Sequence, residues 1–145
     1  MEKQELMIKH LEMIQGVINR MASNSFLLKG WAVTLVSAMF ALSQSQKDIK
    51  IFVLMALIPT IIFWILDAFY LRQERLFRFL YDDVRKLETI TDFSMDTSKH
   101  QDKPNVKYHK VLISTTLFQF YGPMILMIGL VWLYFFMSVA EKIAK

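Results

Sequence analysis

Cysteine is absent from the 145 residues. That excludes a disulfide scaffold, thiolate metal sites and a cysteine nucleophile. Glycine is scarce, with four residues placed singly, so no glycine-rich loop is present to cradle a phosphate. His10, His100 and His109 have no metal-ligand spacing and are expected in solvent. The serines and aspartates form no nucleophile motif. The chain is therefore expected not to be an enzyme and to need no cofactor or metal. Charge is missing too, but only in blocks: residues 51–66 and 111–140 are all but free of Lys, Arg, Asp and Glu.

What remains is apolar. Hydrophobic residues make up 54% of the chain and mean hydropathy is +0.34. Soluble domains hold about 45–50% apolar residues, and disperse them. Charge-free runs of about 18 or more residues read as transmembrane helices. The expected fold is an all-α integral membrane protein with three spans in a single membrane domain. Ten methionines suit it as adaptable packing side chains. A cleaved signal peptide is disfavoured, because the region before the first apolar run is long and carries several acids.

Residues 2–22 predict an amphipathic helix. Met7, Leu11, Ile14, Ile18 and Met21 alternate at spacings of four and three, the period of a coiled-coil seam. "SNS" at 23–25 predicts the cap of the next helix. The first span is expected over 26–44, with Gly30, Thr34, Ala38 and Ala41 as a small-residue face of the kind that lets membrane helices approach. A polar hairpin, "SQSQKDIK", follows. The second span is expected over 51–71, kinked at Pro59, and runs on as a charged extension over 72–90. Leu76, Leu80, Val84 and Leu87 stripe that extension. As one helix, 51–90 would measure about 60 Å against a bilayer core of about 30 Å, so its second half must enter water. Residues 91–110 predict a polar, mobile loop. The third span is expected over 113–138, bent at Gly122–Pro123, with Trp132, Tyr134, Phe135 and Phe136 as an aromatic belt at its far end.

Lys and Arg set the orientation. Thirteen of the seventeen fall in the N-terminal region and 72–110; four fall in the hairpin and tail. The first group is expected in the cytoplasm and the C-terminus in the periplasm. Lys29 and Asp67 then lie at similar depth near the cytoplasmic interface. They are expected to form an intramembrane ion pair, or else Lys29 snorkels and Asp67 bonds locally. Arg72, Arg75 and Arg78 recur every three residues and are expected to meet lipid headgroups or a phosphate-bearing ligand; nucleic acid is disfavoured.

"MIQGVINRMASNSFLLKGWAVTL" (13–35) and "LDAFYLRQERLF" (66–77) resemble a widespread group of small bacterial membrane proteins. The layout over 25–90 also resembles the SLATT class, helical membrane proteins encoded beside nucleotide-signalling and anti-phage defence genes. The third span departs from that class's simplest pattern. The resemblance implies a pore-forming or membrane-perturbing effector of the bacterial inner membrane, triggered by a cytoplasmic protein partner or a nucleotide signal. It carries no ligand residues over. A non-conducting anchor for a soluble partner and a small constitutive ion channel are the alternatives. Clear polar groups in the spans are few: Thr34, Ser37, Thr60 and Gln119. Enclosing water would take several copies, so a homo-oligomer in membrane lipid is expected. One stripe, Met7–Met21 or Gly30–Ala41, should then pack within the chain and the other between chains. Val53 lies on neither.

Overall fold

The computed structural model describes residues 2–43, 49–86 and 92–143. Among these the chain is helical, with no strand: α1 spans Glu2–Ser43, α2 Ile49–Met55, α3 Leu57–Val84, α4 Tyr108–Leu112 and α5 Thr115–Ile143. Two single-turn 3₁₀ segments, Ser98–His100 and Pro104–Val106, lie between α3 and α4. Three helical stretches are long and apolar enough to cross a membrane: Lys3–Ser43, Ile51–Val84 and Thr115–Ser138.

α1 is continuous through 23–25, so "SNS" caps nothing, and residues 2–22 are the first half of a 42-residue helix. Ser and Asn cap when their side chains bond the backbone of the next turn. Here Ser25 Oγ is used elsewhere: it donates to Asp67 Oδ1 at 2.5 Å. The second run breaks where a kink was expected. Ala56 is a turn, its N–H reaching Val53 O at 3.2 Å, and Pro59 falls in the first turn of α3. Proline lacks the N–H that would bond the carbonyl four residues back, and its ring would strike that carbonyl. At the start of a helix that amide has no intrahelical partner anyway. From Leu57 the helix runs unbroken to Val84 and ends in a turn at Arg85–Lys86. The expected continuation to residue 90, with Leu87, lies outside the described residues, as does the hairpin at 44–48. α5 passes through Gly122–Pro123 without a gap, and the short α4 precedes it within what was read as loop.

The chain forms two compact units, residues 1–26 with 67–113, and residues 27–66 with 114–145. The division follows the chemistry of the sequence. The first unit holds twelve of the seventeen Lys and Arg and eleven of the thirteen Asp and Glu. In the second, Lys29 is the one such residue within 27–43, 51–66 and 114–138.

The core of the charged unit joins Ile14 and Ile18 of α1 to Leu80 and Val84 of α3, flanked by Met7, Leu11, Phe77 and Tyr81. Both expected stripes thus close on each other. In the apolar unit α2 packs on α5. Leu117, Tyr121, Met124 and Ile128 line the buried side of α5, at spacings of four, three and four. The Trp64 and Tyr121 rings lie parallel, 5.8 Å apart, and Thr60 Oγ1 lies 3.7 Å from Met124 Sδ. Val53, on no sequence stripe, is fully buried.

Candidate functional site

The expected loop, described from residue 92, lies as a strap along the charged unit. Its turns are made by side chains two residues apart. Asp92 Oδ1 accepts from Ser94 N–H at 2.9 Å, Ser94 Oγ from Asp96 N–H at 3.3 Å, and Asp96 Oδ1 from Ser98 N–H at 2.8 Å. These side-chain turns replace the backbone bonds that a non-helical segment otherwise lacks. The Ser98 N–H and hydroxyl hold the Asp96 carboxyl below the usual carboxylate range. Phe93 takes φ 57°, a left-handed conformation that costs a non-glycine residue about 1–2 kcal/mol.

The Phe93 ring contacts α1, lying 5.4 Å from that of His10. His10, expected in solvent, is 1% exposed, and its Nε2 lies 3.0 Å from Ser94 O. His100 is also buried. It sits 3.3 Å from Asp83 Oδ2 through Nε2 and 5.8 Å from the Phe79 ring, while its buried Nδ1 has no hydrogen-bond partner among the described residues. Only His109 is exposed as expected. Lys103 Nζ lies over Phe79, 3.8 Å from the ring centre.

The three arginines divide their work. Arg72 Nε donates to Val106 O and Arg75 Nη1 to Asn105 O, each at 2.8 Å. Arg78 pairs along its own helix with Glu74, at 2.7 Å through Nη2 and 2.9 Å through Nε. Two of the three residues read from the sequence as headgroup or ligand contacts therefore also tie the strap to α3. The strap itself was missed. Its signal was the Asp-x-Ser pattern at 92–94 and 96–98, a turn former repeated at the spacing that lets each side chain bond two residues on.

The strap should loosen measurably without Arg72. A hydrogen bond from a charged donor contributes about 1.5–3 kcal/mol. In Arg72→Ala, backbone amides of 98–106 should exchange with deuterium roughly 10- to 100-fold faster, while those around Ile14 keep their protection. Unchanged exchange in 98–106 would mean that Arg72 does not hold the strap.

Asp67 and Lys29 fall in different units. Asp67 is fully buried and takes the Ser25 hydroxyl within the charged unit; Lys29 Nζ lies 5.9 Å from the Phe120 ring centre within the apolar one. The small-residue face is open. Gly30, Thr34, Ala38 and Ala41 are all exposed, and a side chain added at Gly30 would meet nothing within 4 Å. Thr34 Oγ1 turns back to Gly30 O at 2.9 Å, so its hydroxyl is satisfied and the face stays flat. Among the described residues no cluster of three or more metal-binding side chains occurs. No protein family, no curated protein and no solved structure matches this chain.

Proposed function

We propose that the chain is a subunit of a homo-oligomeric assembly in the bacterial inner membrane, one that perturbs or permeabilises the bilayer when its cytoplasmic side is triggered. The observation that carries this reading is the fate of the two stripes. Ile14 and Ile18 are consumed inside the chain with Leu80 and Val84, while Gly30, Thr34, Ala38 and Ala41 remain open. Membrane helices associate through such small-residue faces. Each candidate span buries only 17–28% of its most apolar stretch within the chain, leaving ample surface for lipid and for other copies. The defence-effector role rests on the resemblance in layout. The amphipathic first half of α1 and the second half of α3 would form a cytoplasmic helical layer, consistent with their charge.

A second reading, a non-conducting anchor, is favoured by the strap, which gives the charged unit a fixed surface on which a soluble partner can dock. A small constitutive ion channel is less favoured: Thr34 and Thr60 both turn their hydroxyls to backbone carbonyls four residues back, Gly30 O and Ala56 O.

The test is assembly and leakage measured together. Cross-linking and mass measurement in mild detergent should show a closed oligomer, and liposomes bearing it should leak ions. Ala38→Leu should abolish or reduce assembly. Leu35→Ala, on an exposed apolar position off the face, should not. Val53→Leu is unsuitable as a control, because Val53 is buried. A monomer that leaks ions would overturn the oligomer. A monomer that does not would favour the anchor.

Orientation is tested separately. Reporter fusions should place residues 1 and 95 in the cytoplasm and residue 145 outside. A cytoplasmic residue 145 would remove one span from the reading.

A further inference from the structure

We propose that the charged unit binds a phosphate group in the cleft lined by Arg75, where α3 meets the strap, with Lys103 standing over the Phe79 ring at its edge. The cleft holds about 430 Å³ and is lined by Arg75, Arg78, Phe79, Asp82 and Asn105. Lys103 Nζ stands over Phe79, one of its walls. The two cations come from positions 28 residues apart in sequence, so the fold makes this site and no local charge run does.

Charge selects an anion. Three carboxylates of α3 have cationic or histidine neighbours: Glu74 pairs with Arg78, Asp82, which itself lines the cleft, with Arg85 at 3.1 Å, and Asp83 lies beside His100. Among the described residues neither Arg75 nor Lys103 is paired with a carboxylate. Arg75 uses Nη1 on the Asn105 carbonyl, which fixes its plane and leaves its Nε and Nη2 edge for two oxygens of one ligand. Lys103 rests on an aromatic face and keeps its three donors. A guanidinium edge and an ammonium together suit a group with several oxygens and at least one negative charge. A phosphate ester meets that description; a simple carboxylate fills only the arginine edge.

The phosphate has two sources. Arg75 stands four residues past Leu71, the end of the charge-poor run, about 6 Å along a helix. The headgroup layer is roughly 5–8 Å deep on each side of the bilayer core. A lipid phosphate therefore reaches Arg75 if α3 crosses the membrane, and a soluble phosphate ester reaches it from water. This inference does not depend on how many copies assemble.

The experiment titrates the full-length protein in neutral detergent with short-chain phosphatidylglycerol, glycerol 3-phosphate and, as a zwitterionic control, short-chain phosphatidylcholine. Binding is read from the concentration-dependent rise in melting temperature. Phosphatidylglycerol alone raising it assigns a lipid headgroup; glycerol 3-phosphate raising it assigns a soluble ester. Lys103→Gln, which leaves the backbone bonds of the strap intact, should weaken binding about fivefold, as should Arg75→Gln. Lys9→Gln removes the same charge from an exposed position on α1 and should change nothing. If neither probe binds the wild type, or if Lys9→Gln weakens binding as much as Lys103→Gln, the site does not exist.

Discussion

Ile14→Ala will cost about 2–5 kcal/mol of stability, while Met13→Ala, one residue away, will stay within about 0.5 kcal/mol of wild type. Both residues are large and apolar, and composition does not distinguish them. Position does. Ile14 is fully buried against Ile18, Leu80 and Val84, and Met13 is 50% exposed. Removing buried methyl groups forfeits their transfer free energy and leaves a cavity that stiff neighbours only partly fill. Denaturant unfolding in mild detergent measures the difference. Limited proteolysis adds a local readout: Ile14→Ala should expose sites within 2–26 and 67–84. Equal losses at the two positions would mean that residues 2–26 do not pack on α3 in the register described. Leu80→Ala should fall in the same range, and combined with Ile14→Ala should cost less than the sum, because the two side chains share one core.

The two stripes were legible because each rests on periodicity alone. Spacings of three and four bring Ile14 under Ile18, and Leu76 under Leu80 and Val84, whatever else the chain does. The three apolar helices were legible for a similar reason: charge-free length is a property of the sequence. What failed depended on distant partners. Ser25 reads as a cap until Asp67, 42 residues on, takes its hydroxyl. His10 reads as solvent-exposed until Ser94 and Phe93 cover it, across a separation of 84 residues. The polar composition of 92–106 favours a loop and correctly predicts the absence of long helix. It says nothing of the backbone carbonyls that Arg72 and Arg75 hold. Pro59 was identified correctly as a disruption, but its effect falls on the residues before it, because the clash is with a carbonyl four positions back. Val53 shows the limit of stripe reasoning in a helix as short as α2: seven residues give fewer than two full turns.

Ser25 and Asp67 should prove coupled. The carboxylate is fully buried, and the hydroxyl donates to it at 2.5 Å. Ser25→Ala removes a donor from a buried acid, and Asp67→Leu removes the acceptor that the half-buried Ser25 hydroxyl uses here. Leaving one partner of a buried hydrogen bond unsatisfied costs about 1–3 kcal/mol, more when the group left is charged. Removing both removes the unsatisfied group as well. The double variant Ser25→Ala with Asp67→Leu should therefore cost less than the sum of the singles, by roughly 1–3 kcal/mol. Asp67→Asn is the informative third variant. Its side-chain carbonyl still accepts from Ser25, so it should retain part of this coupling while losing any contribution from the charge. Thermal unfolding of the four members of the cycle, in one detergent and at one pH, gives the coupling directly. Simple additivity would mean that the hydroxyl and the carboxylate do not share a bond.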